Sequence, residues 1–305
     1  MTLKSDPGNF FEDFVVGDEL IHATPRTVTE ADAAIYTSLT GSRFALYSAD
    51  TFAQDCGLPS APIDPLLAFH VVFGKTVPDI SLNAVANLGY ADGRFLSPVF
   101  PGDTLRAVSE VIGVKENSNG KTGVVWVRTR GYNQENDEVL SYVRWVMVNK
   151  KDPSHPAPAT VVPELPQVVD PKELPERSLS GTEYNFVLAG SPFGFEDYEI
   201  GEKIDHVDAF TVEEAEHQIA TRLYQNTAKV HFNQYAQAQT PRGKRLIYGG
   251  VAISLARSLA FNGLANAAEI IAINAGQHVN PLGAGDTVFA WSEVLDKVDL
   301  GDGFG

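Results

Sequence analysis

Asn226 and His231 stand five residues apart in the polar run Tyr-Gln-Asn-Thr-Ala-Lys-Val-His-Phe-Asn that begins at Tyr224. Further on, Tyr248-Gly249-Gly250 leads into an apolar run, Val251 to Leu264. An imidazole can act as a general base near neutral pH, and a neighbouring amide can hold a water molecule without taking its proton. Glycines at a helix start let a ligand approach free backbone N–H groups, where the helix dipole favours developing negative charge. A base, a polar partner and an oxyanion site are the equipment for chemistry beside a carbonyl. Plainer roles fit the same residues: a structural histidine, a turn asparagine, and glycines that let helices pack closely.

Composition narrows the setting. The 305 residues are enough for about two ordinary domains, and 44% hydrophobic with 20% charged residues suits a globular protein. The net charge is −16, with no Lys/Arg cluster to offset it locally, so nucleic acid and anionic membranes are poor partners. The segment Met1 to Phe11 carries Lys4, Asp6 and Pro7 and lacks the apolar stretch of a signal peptide. No apolar run is long enough to span a bilayer. Cys56 is the only cysteine, which excludes an intrachain disulfide and a cysteine-rich zinc site and predicts a reducing, cytoplasmic location. Phosphate loop, metal-ligand cluster and Gly-x-Ser-x-Gly elbow are all missing, so kinase, metalloenzyme and serine-hydrolase readings have nothing to stand on.

The elements that must position these residues come in two copies. Phe11-Glu12-Asp13-Phe14-Val15-Val16-Gly17-Asp18 returns as Phe195-Glu196-Asp197-Tyr198-Glu199-Ile200-Gly201-Glu202, an offset of 184 from Gly17 to Gly201. Thr27-Val28-Thr29-Glu30-Ala31 returns as Thr211-Val212-Glu213-Glu214-Ala215 at the same offset. Ser97 to Thr104 matches Asn280 to Thr287 at 183. A period of domain size means tandem duplication. In each copy Thr27 or Thr211, with a Glu three residues on, predicts a capped helix start, the helices running to about Leu39 and Leu223. A second, apolar helix follows at Pro65 to Phe73 and Gly250 to Ala260, expected to be buried on nearly all sides. Strands are predicted over Val85–Phe95, Thr104–Val114, Val124–Tyr132 and Leu140–Val148. The fold class is therefore α+β with antiparallel sheet. Residues 1–150 form one unit, the proline-rich 151–190 a linker, and 191–305 the second unit, in which nothing corresponds to the Gly123–Val148 strands. The second unit is expected to be incomplete at its C-terminus, ending in the turn-like run Asp299 to Gly305.

Phe100-Pro101-Gly102-Asp103-Thr104 before a strand, after an apolar helix and a polar loop, resembles the hotdog fold of MaoC-type (R)-specific enoyl-CoA hydratases, here as a double hotdog. His22-Ala23-Thr24-Pro25-Arg26-Thr27-Val28-Thr29, Gly41-Ser42-Arg43-Phe44-Ala45 and Phe73 to Ser81 resemble more narrowly the mesaconyl-CoA hydratase, or β-methylmalyl-CoA dehydratase, family. The hydratase motif Asp-x-Asn-Pro-x-His of the superfamily places its His on His231 and its Asp on Asn226, with Ala228 and Lys229 replacing Asn-Pro. In the first copy the same positions are Ser42 and Tyr47, so that copy has lost the pair. The His-Gly that opens the family's central helix falls on Tyr248-Gly249, and in the first copy on Asp64-Pro65, where proline has no N–H to offer.

The resemblance implies a hydro-lyase: reversible addition of water to an enoyl-CoA thioester, most narrowly β-methylmalyl-CoA to mesaconyl-CoA. Coenzyme A is then part of the substrate, and the chain is expected to be a homo-oligomer. Asn226 and His231 become the catalytic candidates, and Gly249 and Gly250 the oxyanion candidates. Arg43, Asp64 and Tyr248 are substrate-binding candidates. Arg43 could bind the free carboxylate of a mesaconyl group or form a surface ion pair. Asp64 could join His231 from the other copy. His70 reads as core and His278 as the end of a strand. A broad (R)-enoyl-CoA hydratase, a hotdog thioesterase and, given Asn226 in place of Asp, a non-catalytic acyl-CoA-binding protein are the alternatives.

Overall fold

Alternating side chains give the first half its sheet. Along residues 122–132, Val125, Val127 and Thr129 point inward and Trp126, Arg128 and Arg130 are half-exposed, the two-residue period of a strand with one face on a core. The computed structural model describes residues 4–175, 179–181, 183–301 and 304–305. Short strands β1 (Glu19–Ile21) and β2 (Arg26–Thr27) precede helices α1 (Glu30–Thr40), α2 (Asp50–Asp55) and α3 (Pro65–Thr76). Four long strands follow, β3 (Ala84–Phe95), β4 (Thr104–Glu116), β5 (Thr122–Tyr132) and β6 (Glu138–Asn149). They wrap α3, whose residues from Leu66 to Thr76 are all buried. Pro65 opens that helix at a position needing no N–H, and the Asp64 carboxylate caps it by accepting from the Leu66 N–H at 2.8 Å.

Among the described residues between Asn149 and Lys203 there is no strand; Val161 exchanges backbone hydrogen bonds with Val114, 2.9 Å each. The second half contains helices α4 (Phe186–Ala189), α5 (Glu214–Leu223), α6 (Lys229–Phe232), α7 (Gln234–Gln237), α8 (Gly249–Leu259) and α9 (Phe261–Leu264). Its strands are β7 (Lys203–Thr211), β8 (Ala272–Gln277) and β9 (Thr287–Glu293). Strands β7 and β9 pair with each other, whereas β8 joins the first half, giving the antiparallel order β1-β4-β5-β6-β3-β8 with β2 on β4. This corrects the expectation for the second central helix. Helix α8 packs on β7 and β9 and buries one face, Gly250, Ser254, Leu255, Ser258 and Leu259, with its other residues half-buried.

The helix caps also differ from expectation. Thr29, and not Thr27, caps α1: its hydroxyl accepts from the Asp32 N–H, and the Asp32 carboxylate accepts from the Thr29 N–H at 2.8 Å. Helix α5 starts after Glu213 with no side-chain cap. Thr27 and Thr211 are strand residues whose hydroxyls bridge to Thr104 (2.7 Å) and Thr287 (2.9 Å), so the repeated threonines mark equivalent strand pairs. A buried histidine is duplicated in the same way: Nε2 of His22 lies 2.8 Å from Ser109 Oγ, and Nε2 of His206 lies 2.8 Å from Ser292 Oγ. The halves share one apolar core, in which Tyr36, Leu67, Phe69 and Val72 pack with Leu223, Tyr224 and Tyr248. No helix among the described residues is long and apolar enough to cross a membrane.

Candidate active site

The two central helices run antiparallel. Phe73, near the end of α3, packs against Tyr248 at the start of α8, ring centroids 5.1 Å apart, and mid-helix His70 meets Ser254. The N-terminus of α8 therefore lies beside the C-terminal end of α3, and the two helix starts face opposite ways.

The first half holds the loop that carries Asn226. Gly74 on α3 packs so closely on the Tyr224 carbonyl that a Cβ there would overlap its oxygen. The Arg26 guanidinium donates to the Leu223 carbonyl, and the Lys75 ammonium to the Gln225 side-chain oxygen. Gln225 itself takes φ 53, a left-handed conformation unfavourable for a residue with a long side chain. That turn drives Asn226 into the interior, where it is 0% exposed. Its Oδ1 accepts from the Ala228 N–H at 3.1 Å, and its Nδ2 has no partner among the described residues.

His231, on α6, is 7% exposed. Its Nδ1 lies 2.8 Å from the Leu246 carbonyl, which can only accept, so the ring proton sits on Nδ1 and Nε2 keeps its lone pair. Burial pushes its pKa down to about 4, leaving the ring neutral at pH 7. His217 stands edge-on to it at 5.7 Å and accepts the Tyr248 N–H on Nε2 at 3.0 Å. Gly249 and Gly250 are the first two residues of α8, where amides have no intrahelical acceptor and the dipole is positive. A Cβ at Gly249 would overlap the His278 imidazole, and one at Gly250 would strike Tyr248 and approach His70 Cε1 to 2.6 Å.

Asn226, His231, Tyr248, Gly249, Arg144 and His278 all line one cavity of about 1040 Å³. Gly250 is not on its wall but lies beneath, against His70. The first half's counterparts, Ser42, Tyr47 and Asp64, also come together, but around a pocket of about 10 Å³, room for about one water. Of these two, the cavity of about 1040 Å³ is the one with room for an acyl thioester.

Two expectations are corrected. Asp64 caps α3 at the far end, where burial pushes its pKa up to about 6 and Arg257 is the nearby charge; it does not join His231. Arg43 stacks on Phe261 at 4.5 Å, beyond the C-terminal end of α8, so most of that helix, at about 1.5 Å per residue, separates it from Gly249. Sequence reasoning in turn missed Asn87 and Arg144, which line the cavity from β3 and β6, and gave no site role to His217 or to His278, which it read as a strand end. Among the described residues no group of three or more His, Cys, Asp or Glu could hold a metal ion.

Comparison with known proteins agrees with this architecture. The family model described as mesaconyl-CoA hydratase matches residues 2–303. The chain is 63% identical over 302 residues to the mesaconyl-CoA hydratase of Cereibacter sphaeroides, covering 98% of this chain and 87% of that protein. It is 61% identical over 301 residues to the β-methylmalyl-CoA dehydratase of Chloroflexus aurantiacus, covering 98% and 86%. The crystal structure of a MaoC domain protein from Chloroflexus aurantiacus superposes with a TM-score of 0.92 at 59% identity, covering 97% of this chain and 84% of that one. A double-hotdog protein of Mycobacterium tuberculosis, 24% identical, superposes with a TM-score of 0.81 over 97% and 89% of the two chains and shares the fold.

Proposed function

This chain belongs to the mesaconyl-CoA hydratase family, and on that premise we propose how it hydrates an enoyl-CoA, interconverting mesaconyl-CoA and β-methylmalyl-CoA. The observation that carries the reading is the convergence on one cavity of a neutral imidazole, an amide whose Nδ2 has no partner among the described residues, and a helix N-terminus. The thioester oxygen accepts from the Gly249 amide at the start of α8, the glycine of the pair that lines the cavity. The Asn226 Nδ2–H donates to the oxygen of a water, which in turn donates to Nε2 of His231. As that proton passes to His231, the hydroxide adds to the β-carbon and charge moves onto the thioester oxygen. The imidazolium then returns the proton to the α-carbon, so one water is consumed and the enzyme is restored. Asn226 has no basic site and serves only to orient. An oxyanion donor contributes about 2.7–4 kcal/mol and general acid–base catalysis roughly 10²–10⁴-fold.

Coenzyme A is the carrier of the substrate here, with no separate cofactor or metal. Residues 191–305 carry the catalytic pair, residues 1–150 scaffold it and line part of the cavity, and 151–190 act as the connector. We place the protein in the cytoplasm as a homo-oligomer; the exposed Phe289 and Trp291 on β9 offer an apolar surface that a second copy could cover. Absorbance of the enoyl thioester tests the activity: adding the protein to mesaconyl-CoA should lower it to an equilibrium value. Release of free thiol instead would mean a thioesterase, and binding with neither change an acyl-CoA-binding protein.

A further inference from the structure

Among the described residues Arg144 is the largest side chain buried to less than 2% exposure, and it is a cation. It stands on β6 opposite Tyr90 of β3, with its guanidinium 4.3 Å over the Phe73 ring. Nη2 donates to Thr76 Oγ1 at 2.8 Å and to Ser81 Oγ at 3.3 Å; Nη1 donates to Ser81 Oγ at 3.4 Å. Among the described residues no carboxylate pairs with it and Nε has no partner. Hydroxyls can orient a guanidinium but cannot offset its charge, and an Arg buried this deeply is ordinarily paired. Burial correspondingly lowers its pKa, though an arginine stays protonated. On the same cavity wall, both amide atoms of Asn87 are also buried without partners.

Its position indicates what completes it. Phe73 lies between Arg144 and Tyr248, and Tyr248 packs 5.7 Å from His231, so the guanidinium is at the reacting end of the cavity. A mesaconyl group is a short enedioate whose free carboxylate is bonded directly to the alkene. We propose that Arg144 is the specificity-determining residue that receives this carboxylate, through its Nε–H and Nη1–H, with the Asn87 amide as neighbouring donor. The assignment rests on the hydratase reading and deepens it, and it gives Arg144 the part that Arg43, at the other end of α8, is placed too far away to play. A phosphate of coenzyme A is the competing anion, and binding measurements separate the two.

The test uses two unreactive saturated thioesters that differ only in the free carboxylate, methylsuccinyl-CoA and 2-methylbutyryl-CoA, titrated calorimetrically. Wild-type protein should prefer methylsuccinyl-CoA on the order of a hundredfold, as expected for a buried charge pair. Arg144→Met should erase most of that preference, and Arg144→Lys, a point charge without the planar fork, should retain part of it. Wild-type protein that binds the two thioesters equally overturns the proposal whether or not the variants fold. A parallel loss of both ligands in Arg144→Met also overturns it and points to a phosphate. Because no turnover is needed, these outcomes are independent of the absorbance assay: hydration of mesaconyl-CoA without the binding preference removes Arg144 and leaves the hydratase reading intact.

Discussion

Nε2 of His70 lies 2.8 Å from Oγ of Ser254, the residue that holds His70's own place in the other half of the chain. A residue that touches its repeat counterpart marks the two-fold axis of a duplicated pair, because only there does a symmetric interface bring equivalent positions together. Ser254 Oγ also accepts from the Tyr36 hydroxyl at 2.9 Å, so a His–Ser pair satisfies polar groups that two identical side chains on the axis would leave crowded. The axis runs between antiparallel helices, which sends the helix start at Pro65 and the helix start at Gly249 to opposite ends. The two ancestral sites could therefore diverge independently, one closing to room for about a water and the other staying open.

His231→Ala should lower kcat by about a hundredfold or more while the protein stays folded, since a positioned base contributes roughly 10²–10⁴-fold. Circular dichroism checks the fold and steady-state hydration the rate. Near-normal turnover in the folded variant would remove His231 from the mechanism.

Asn226→Asp should keep substantial activity. A carboxylate oxygen can take over from Oδ1 as acceptor of the Ala228 N–H, and the other oxygen faces the cavity as an additional base. Asn226→Leu, which cannot hold water, should lose activity by about tenfold or more. If the Asp variant is dead while still binding substrate, the amide is needed as a donor that a negative charge spoils.

The duplication, the four long strands of the first half and the degeneracy of Ser42 and Tyr47 were all legible in the residues, because local periodicity and repeat spacing carry them. Thr27 reads as a cap because two threonines two apart, Thr27 and Thr29, each have an acid three residues on; strand pairing with Thr104 decides between them. The crossing of β8 into the first half's sheet has no local signature. The chemistry of Arg43 suits the site, but the antiparallel helix pair separates it from Gly249. Arg144 did leave a trace, a single charge within Tyr142-Val143-Arg144-Trp145-Val146, but a lone strand arginine normally faces water, and only the packed structure puts it inside.

Acid should destabilise the fold below pH 6.5. Burial pushes the pKa of His70 and His217 down to about 3 and that of His231 to about 4. Between those values and 6.5 the unfolded chain binds more protons than the folded one, so stability rises with pH through that window and is lost as pH falls, by about 1.4 kcal/mol per pH unit for each fully buried group. Asp64, pushed up to about 6, acts in the opposite sense between 3.8 and 6. Three groups against one leave a net loss on acidification. Urea unfolding from pH 6.5 to 4.5 should show it, with a shallower slope for His70→Gln. An unchanged slope would mean that His70 is not held neutral in the folded protein.

The half without a working site should still control the half that has one. Gly74 sits on α3, in the first half, and its backbone meets the Tyr224 carbonyl at the start of the Gln225–Asn226 turn. A methyl at this position overlaps a backbone oxygen and not the end of a flexible chain, so either α3 or the turn has to move. The helix is buried along its whole length inside the sheet, whereas the turn, tied to α5 by the Gln225 and Asn226 N–H groups, meets the first half through Tyr224 in the core and at Gly74, Lys75 and Arg26. The turn should yield, carrying Asn226 away from the water it would hold for His231. A displacement of about 1 Å at a reacting group is worth about a hundredfold in rate. Gly74→Ala should therefore cut kcat by roughly that factor, with a smaller change in the binding of methylsuccinyl-CoA, because Arg144 is anchored on β6 and on Thr76 and Ser81 and not on the turn. Binding lost in proportion to turnover would mean that the substitution disrupts the shared core, and full activity would mean that the turn is not held from the first half at all.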